Sequence, residues 1–399
     1  MNRCHQPLGL GPRHDRARLV TGIARRHRDP RRDAVVPTQT QPTDARAVTQ
    51  ALVAAATVAG YAPSIHNTQP WRWRVGGTRL GLFADGARAL AVTDPDARLA
   101  TLSCGAALQH ARIALAAQGW RAIVTRIPDP TEPDHLAQLR VVGRAPVELQ
   151  AVRRTHTIRL RHTDRRPLTG PPVGSDDLRA IADAVQAEGA WLHILRPDQV
   201  MDLAAAAGQA QQTETADPAW QTELAYWTGG TRPAGVGVPD DTIPLRAPQT
   251  TVPGRDFGHH GDLPVSTGHD RNAGYGVLYG PNDQPVDWLR AGEALSSAWL
   301  TAVELGVSVL PLSATVEVAG TRQTVRRLVA DLGHPYLVVR LGMLDTDNAG
   351  PPHAPRLPAR QSIDRLRPKA LSPSPAAGDS SSTPKGRGRH DPTSPPTPR

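Results

Sequence analysis

The sequence predicts an α+β fold in which amphipathic helices alternate with short strands. Three observations lead to this prediction. Apolar residues recur at helical spacing in the stretches that end at Gly60 and at Gly119. Alternating residues on both sides of Gly76 predict a β-hairpin. Finally, two segments 187 positions apart resemble each other, which indicates that one pattern of elements occurs twice.

Each early element has its own local justification. The first helix is predicted over 43–60, with Thr43 as its N-cap and Gly60 as the residue that ends it. The stretch 72–84 turns at its central Gly-Gly pair and predicts two paired strands. A long Ala-rich helix is predicted over 96–118, closed by Gly119. A further strand is predicted over 139–143.

The internal repeat divides the chain into two halves, 43–150 and 151–366. Residues 104–119 align with 291–306, so that Gly105 meets Gly292 and Gly119 meets Gly306. Residues 139–143 also resemble 338–342, and 69–75 resemble 189–195. The segment 198–280 has no counterpart and is predicted to be a lid-like insert. Chance similarity between two Ala-rich helices is the alternative explanation.

Charge and composition narrow the class of protein. The formal charge of +9 lies at the ends: 1–42 carries +6 and 367–399 carries +4, which leaves −1 for 43–366. Both ends are predicted to be disordered, the first basic and the second rich in Pro and Ser. A near-neutral core argues against a nucleic-acid-binding fold. Two cysteines and no apolar run of membrane-spanning length predict a cytoplasmic protein without membrane contact.

Two polar motifs stand out. Residues 62–71 (APSIHNTQPW) place several hydrogen-bonding side chains in a loop stiffened by two prolines. Taken alone, this loop is equally consistent with a binding site for a polar heterocycle and with a well-capped structural turn. Residues 159–167 (RLRHTDRRP) surround a hydroxyl with arginines, a pattern that suits phosphate. Taken alone, a solvated charge run with Asp164 as internal partner is the better interpretation.

Two other stretches are not given a function. Residues 274–280 (GYGVLYG) lack the spacing of a dinucleotide-binding fingerprint. The His- and Asp-rich stretch 256–270 shows no regular zinc-ligand spacing, so no metal site is predicted and a polar lid loop is preferred.

The motifs together resemble the nitroreductase superfamily, and most of all its Acg-type branch of long single chains. The loop 62–73 resembles the flavin-contacting loop of that superfamily, and 161–165 resembles its phosphate-binding Arg-x-Ser/Thr element. Residues 288–318 resemble its central helix and following strand, and 355–366 resemble its C-terminal extension. The resemblance covers about 43–366. It implies a mainly antiparallel sheet flanked by helices, duplicated in one chain.

The resemblance also implies one FMN site shared by the two halves. Classical members are homodimers in which one subunit supplies the phosphate element and its partner supplies the loop. Here the second half keeps only the phosphate element and the first half keeps only the loop, which predicts an internal pseudo-dimer. By this resemblance, the FMN phosphate would be held by Arg161, Thr163, Arg165 and Arg356, with Arg360 as the alternative to Arg356. The ring or the ribityl chain would be contacted by Ser64, His66, Asn67 and Gln69. The flavin N5 and O4 would face backbone amides around Pro311, Leu312 and Ser313.

The function implied is an FMN-dependent NAD(P)H oxidoreductase of nitroreductase type. Hydride would pass from the nicotinamide to flavin N5 and then to a nitroaromatic- or quinone-like small molecule, with no side chain serving as acid or base. The alternative is a non-catalytic protein that binds or stores FMN beneath its lid. A nucleic-acid-associated protein acting through the basic ends is the weakest interpretation. The chain is expected to be a monomer or a homodimer.

Overall fold

The computed structural model describes residues 44–230, 232–265, 267–343 and 350–365. The predicted basic arm 1–42 and the predicted Pro/Ser-rich tail 367–399 lie outside these residues. The helices are α1 Ala45–Ala59, α2 Arg98–Ala117, α3 Leu149–Leu160, α4 Ser175–Gln186, α5 Pro197–Ala216, α6 Pro218–Thr228, α7 Pro285–Glu304, α8 Ala314–Glu317 and α9 Ala319–Leu328. The strands are β1 Trp71–Gly76, β2 Arg79–Ala84, β3 Trp120–Arg126, β4 His135–Arg144, β5 Trp191–Ile194, β6 Gly274–Gly280, β7 Val307–Leu312, β8 His334–Met343 and β9 Ile363–Arg365.

Local sequence explains the ends of the early elements. The carboxylate of Asp44 accepts the Arg46 amide at 2.9 Å and caps α1, which ends at Gly60 as predicted. The predicted N-cap, Thr43, lies outside the described residues. The hairpin β1–β2 turns through Gly77, whose φ of +56° suits glycine. Along β1 the odd-numbered residues from Trp71 are buried and the intervening arginines are exposed, so one face of the strand packs into the core.

The strands form two sheets, and the predicted α+β class is confirmed. The first sheet has the order β3-β4-β2-β1-β9 and the second has the order β5-β6-β8-β7. All pairings are antiparallel except that of β9, which runs parallel to β1. Since β9 is near the C-terminal end, the chain returns from the second sheet to the edge of the first.

The two sheets follow the same plan. In the first sheet the strands lie side by side in the order β1-β2-β4-β3, and in the second sheet they lie in the equivalent order β5-β6-β8-β7. Along the chain, α2 precedes β3 and β4, and α7 likewise precedes β7 and β8. The bounds of α2 and α7 differ by the 187 positions of the sequence repeat. These shared features support the predicted duplication, whose evolutionary origin stays a prediction.

The insert is shorter than the predicted 198–280. Residues Gly274–Gly280 form β6, an inner strand of the second sheet, and are therefore not part of a lid. Sequence reasoning missed this strand because it has glycines at three of its seven positions, which weakens any strand pattern. The segment between β5 and β6 consists of α5, α6 and an irregular stretch, whereas two residues join β1 to β2.

Helices α2 and α7 cross at two glycines. A Cβ atom on Gly105 would overlap the carbonyl oxygen of Leu289, and one on Gly292 would overlap that of Leu102. The sequence repeat aligns these same two glycines. Their lack of side chains lets the backbones of the two helices touch, which joins the two halves of the core and brings the N-terminal part of α2 beside the second sheet.

Candidate active site

One cavity of about 710 Å³ lies between the two halves. Its walls come from the loop before β1, the N-terminal half of α2, the segment after α3, the end of β7, the insert and the C-terminal segment. This volume is within the ordinary range for a small-molecule or cofactor site. Ten of the predicted site residues line it: Ser64, His66, Asn67, Arg161, Thr163, Arg165, Pro311, Leu312, Ser313 and Arg356.

The loop 63–69 has an unusual and firmly held backbone. His66, Asn67 and Gln69 have φ values of 43°, 54° and 51°, a region that non-glycine residues rarely adopt. The Ser64 hydroxyl accepts the Gln69 amide at 3.0 Å, and the Ile65 amide donates to Ser103 Oγ on α2 at 3.1 Å. Strained backbone that is held by such contacts is typical of functional sites.

Asn67 joins three distant segments at the cavity. Its Nδ2 donates to the carbonyl oxygens of Gly237, in the insert, at 3.0 Å and Pro355, in the C-terminal segment, at 2.9 Å. Its Oδ1 accepts from Arg356 Nη1 at 2.5 Å. Both amide hydrogens of Asn67 are therefore engaged within the protein, and the side chain orients Arg356.

Gln69 lies outside the cavity, in contrast to its predicted contact with a cofactor. Its Nε2 donates to the Gly235 carbonyl oxygen at 2.7 Å, and its Oε1 accepts the Leu357 amide at 3.0 Å. The positive φ at Gln69 turns its side chain towards the insert and the C-terminal segment, a geometry that residue type and spacing do not reveal.

Arg161 is a buried cation with free donors. Its side chain is 4% exposed, and its Nε and Nη1 atoms have no hydrogen-bond partner in the part of the chain that the structure describes. The guanidinium lies over the indole ring of Trp299, 4.6 Å from the ring centroid. Burial, together with the nearby Arg356, lowers the pKa of Arg161 to about 9. An anion in the cavity would supply the charge that Arg161 lacks.

The segment after Arg161 is fixed by a second arginine that sequence reasoning missed. Arg340, on β8, donates to the carbonyl oxygens of Asp164 at 3.1 Å and Arg166 at 2.7 Å, and pairs with Asp270 at 3.2 Å. Asp164 itself is buried and pairs with Arg166 at 2.7 Å. This stretch is thus an ordered wall of the cavity and not a solvated charge run.

Arg165 and Arg356 complete a cationic wall. Arg165 donates to the Thr242 carbonyl oxygen at 3.0 Å, and Arg356 donates to that of Tyr61 at 3.3 Å. Burial lowers the pKa of each arginine to about 10, which leaves both charged near neutrality. Of the two C-terminal candidates, Arg356 lines the cavity, whereas Arg360 is exposed.

The end of β7 supplies backbone to the cavity wall. Leu312 is the last residue of the strand, so that Ser313 follows just beyond the ladder. Pro311 has no amide hydrogen, which limits the predicted donors at this position to the amides of Leu312 and Ser313.

His66 presents a neutral imidazole. It is 8% exposed, and its Nε2 has no hydrogen-bond partner among the described residues. Burial and the positive charges of Arg255 and Arg165 hold its pKa well below the ordinary value. At neutral pH the ring can therefore donate or accept one hydrogen bond without adding charge.

The insert contributes an ion triad that the sequence did not indicate. Arg255 pairs with Glu214, at the end of α5, at 2.9 Å and with Glu317, on α8, at 2.6 Å. Glu214 and Arg255 line the cavity. Arg255 lies 41 positions from Glu214 and 62 positions from Glu317 in the sequence, and no motif links the three residues. Only the folded structure therefore brings them together.

The described residues contain neither a cluster of metal-binding side chains nor a helix of membrane-spanning character. Among them, no group of three or more His, Cys, Asp and Glu side chains is placed to hold a metal ion. In the same residues, no helix combines the length and the apolar character needed to cross a membrane.

Comparison with known proteins gives clear relatives, although no protein-family model matches the chain. The chain is 38% identical over 314 residues to the Mycobacterium tuberculosis protein named "Putative NAD(P)H nitroreductase Rv3131", with 77% of this chain and 89% of that protein covered. It is 33% identical over 318 residues to "Putative NAD(P)H nitroreductase acg" of the same organism, with 79% and 96% covered.

Solved structures give only weak likenesses. A nitroreductase with bound FMN from Bacteroides fragilis is 13% identical, with 56% of this chain and 97% of that chain covered and a TM-score of 0.28. NfrA2 from B. megaterium is 14% identical, with 51% and 70% covered and a TM-score of 0.30. At such TM-scores these likenesses carry no weight.

The mycobacterial relatives identify a nitroreductase-type oxidoreductase. The sequence identity to its mycobacterial relatives, and the share of each chain that the alignments cover, show that the chain belongs to the Acg-type branch of the nitroreductase superfamily. The predicted family and enzyme class are thereby confirmed.

Proposed function

We propose that the protein is an FMN-dependent NAD(P)H oxidoreductase whose cofactor occupies the cavity between the two halves. The observation that carries the proposal is the pair of donor atoms on buried Arg161 that have no partner within the described residues, next to the second cation Arg356. A buried cation without a partner costs several kcal/mol, and a phosphate monoester would offset this cost through charge-assisted hydrogen bonds.

The residues around the cavity suit the parts of FMN. Arg161, Arg165 and Arg356 provide positive charge for the phosphate, with the Thr163 hydroxyl as a further donor. Ser64 and His66 offer polar atoms to the ring or ribityl chain, and Asn67 acts by orienting Arg356. The amides of Leu312 and Ser313 would stabilise negative charge on the ring.

The flavin itself would supply the redox chemistry, taking hydride from NAD(P)H and passing electrons to a nitroaromatic- or quinone-like acceptor. The protein's part is to bind, orient and exclude water. Trp299 gives an apolar face beneath Arg161, and the insert closes the cavity with residues from α5 to Phe257 and His260. A water-poor cavity strengthens the electrostatic contacts within it.

One observation favours the alternative, a protein that holds FMN without turning over. The insert is tied down at several points: Glu223, on α6, accepts the amides of Val92 and Thr93 at 3.1 and 2.9 Å. Gly235 and Gly237 bond to the loop 63–69. An insert fixed in this way would keep FMN in the cavity and nicotinamide out.

An anaerobic absorption titration distinguishes the two functions. The purified protein, loaded with FMN, is titrated with NADPH and then with NADH. Bleaching of the flavin spectrum within seconds supports the oxidoreductase and identifies the donor. A spectrum that resists both but bleaches with dithionite supports the flavin-holding protein. Failure to take up FMN at all would refute both.

The proposal extends to the cellular location, the partners and the oligomeric state of the protein. We expect a cytoplasmic enzyme that acts on a small-molecule acceptor as a monomer or a homodimer, without nucleic acid or membrane as partner.

A further inference from the structure

The triad of Glu214, Arg255 and Glu317 is the most unusual charged group outside the proposed phosphate site. Glu214 is 3% exposed, and the side chain of Glu317 is fully buried. Each gives one carboxylate oxygen to Arg255, and the other oxygens, Glu214 Oε1 and Glu317 Oε2, have no hydrogen-bond partner among the described residues. Two buried carboxylates therefore share one guanidinium.

This arrangement carries an excess negative charge in a buried place. The groups that face it do not remove that charge. Asp94, from the loop before α2, adds a further carboxylate on the Glu317 side. His66, facing Arg255 from the loop 63–69, is kept neutral by burial and by Arg255 and Arg165. One proton bound to the carboxylate pair would make the triad neutral, which is the favoured outcome when like charges share a buried site.

Glu214 is the better place for this proton. Burial and the charge of Glu317 raise the pKa of Glu214 to about 7, against the opposing effect of Arg255. Glu214 also lines the cavity, whereas Glu317 lies behind it. A proton on Glu214 thus has direct access to a molecule bound in the cavity.

We propose that Glu214 is the proton donor to the electron acceptor, an inference that rests on the proposed function. Reduction of a quinone-like acceptor takes two electrons and two protons. The hydride brings both electrons and one proton to the acceptor. The second proton leaves Glu214 Oε1 and forms an O–H bond on the acceptor oxygen, which gives the hydroquinone. Glu214 remains as a carboxylate paired with Arg255 and regains a proton from water before the next turnover.

The protonation of Glu214 is tested without turnover. Infrared difference spectra of the FMN-loaded protein are recorded as the pH is raised from 5 to 9. Both proteins should show the carbonyl band of protonated Asp94, whose pKa burial raises to about 6. We expect the wild type to show a second such band, which disappears around pH 7, and Glu214→Gln to lack this second band. A wild-type protein with no such band would overturn the proposal.

Stopped-flow reoxidation tests the transfer itself. The flavin is first reduced by NAD(P)H and then mixed with 1,4-benzoquinone, which needs a proton, or with ferricyanide, which needs none. In Glu214→Gln we expect reoxidation by the quinone to slow by roughly 10²- to 10⁴-fold, the usual range for loss of a general acid, while reduction by NAD(P)H and reoxidation by ferricyanide keep their wild-type rates. Equal slowing with both acceptors, or wild-type rates with the quinone, would refute proton donation.

Glu317→Gln is the second variant, and it remains useful if Glu214→Gln does not fold. Removal of the neighbouring negative charge leaves Glu214 paired with Arg255 alone. We therefore expect both the infrared transition and the pH profile of quinone reduction to move to lower pH. An unchanged profile would contradict the shared proton. If wild-type flavin is not reduced by NAD(P)H, the proposed function fails first, and the infrared titration still reports whether Glu214 holds a proton.

Discussion

Replacement of Arg161 by methionine should change two properties in opposite directions. Arg161 is buried, two of its donor atoms have no partner among the described residues, and burial lowers the pKa of its guanidinium to about 9. In the protein without FMN, the charge is thus a cost to the folded state. Methionine has a similar length and no charge, and can keep the contact with Trp299. The variant should be more stable than the wild type without FMN and bind FMN more weakly.

The structure gives the size of both effects. Replacement of an uncompensated buried charge by an apolar side chain adds about 1–4 kcal/mol to the free energy of unfolding, which corresponds to a rise in Tm of roughly 2–10 °C. Loss of the buried cation that faces a phosphate costs about 3–5 kcal/mol of binding, or a fall in FMN affinity between about a hundredfold and a few thousandfold.

Two measurements on two variants test this reasoning. Calorimetric titration with FMN gives the affinity, and thermal unfolding without FMN gives the stability. Arg159→Met is the matched control, because Arg159 is exposed and bonds only to the Tyr61 hydroxyl in the described residues. It should leave both quantities near their wild-type values. Wild-type FMN affinity in Arg161→Met would refute the assignment of this arginine to the phosphate.

Three further predictions concern the loop, the helix crossing and a buried histidine. Asn67→Ala removes the hydrogen bond that orients Arg356, and the two that hold Asn67 to Gly237 and Pro355, and should weaken FMN binding by about tenfold in calorimetry; unchanged affinity would mean that Arg356 needs no such partner. Gly292→Ala forces α2 and α7 apart and should lower the free energy of unfolding by several kcal/mol in urea denaturation, while Gly208→Ala on α5, where a Cβ meets nothing within 4 Å, should raise it by up to about 1 kcal/mol. His110 is fully buried, neither ring nitrogen has a partner in the described part of the chain, and burial holds its pKa well below 6.5, so the unfolded state gains a proton below that pH which the folded state does not. His110→Leu should therefore lessen the loss of stability below pH 6.5 by about 1.4 kcal/mol per pH unit; equal pH dependence in denaturation of both proteins would contradict this.

The sequence predicted the elements whose signals are local. Helical spacing and a following glycine identified α1 and α2, and the Gly-Gly pair identified the hairpin β1–β2. The repeat aligns Gly105 with Gly292, and both glycines lie at the crossing of α2 and α7, where close contact between the helices leaves no room for a side chain.

The site was only partly accessible from the sequence. The resemblance to nitroreductases indicated the residue types that meet at the cavity, since loop motifs carry them in fixed order. It did not indicate that Gln69 turns away, because this depends on a positive φ at a residue other than glycine. Nor did it indicate Arg340 and Glu214, whose partners are distant in sequence and follow no period.

The close crossing of α2 and α7 has a consequence for how the cavity responds to dilution. In an enzyme whose site lies between two separate subunits, the site disappears when the subunits dissociate. Here the loop 63–69 and Arg161 belong to one polypeptide, so they remain at a fixed effective concentration at any protein level. Such a protein keeps its site even when only a few molecules are present in a cell, and each half can change in sequence without having to match a second copy of itself.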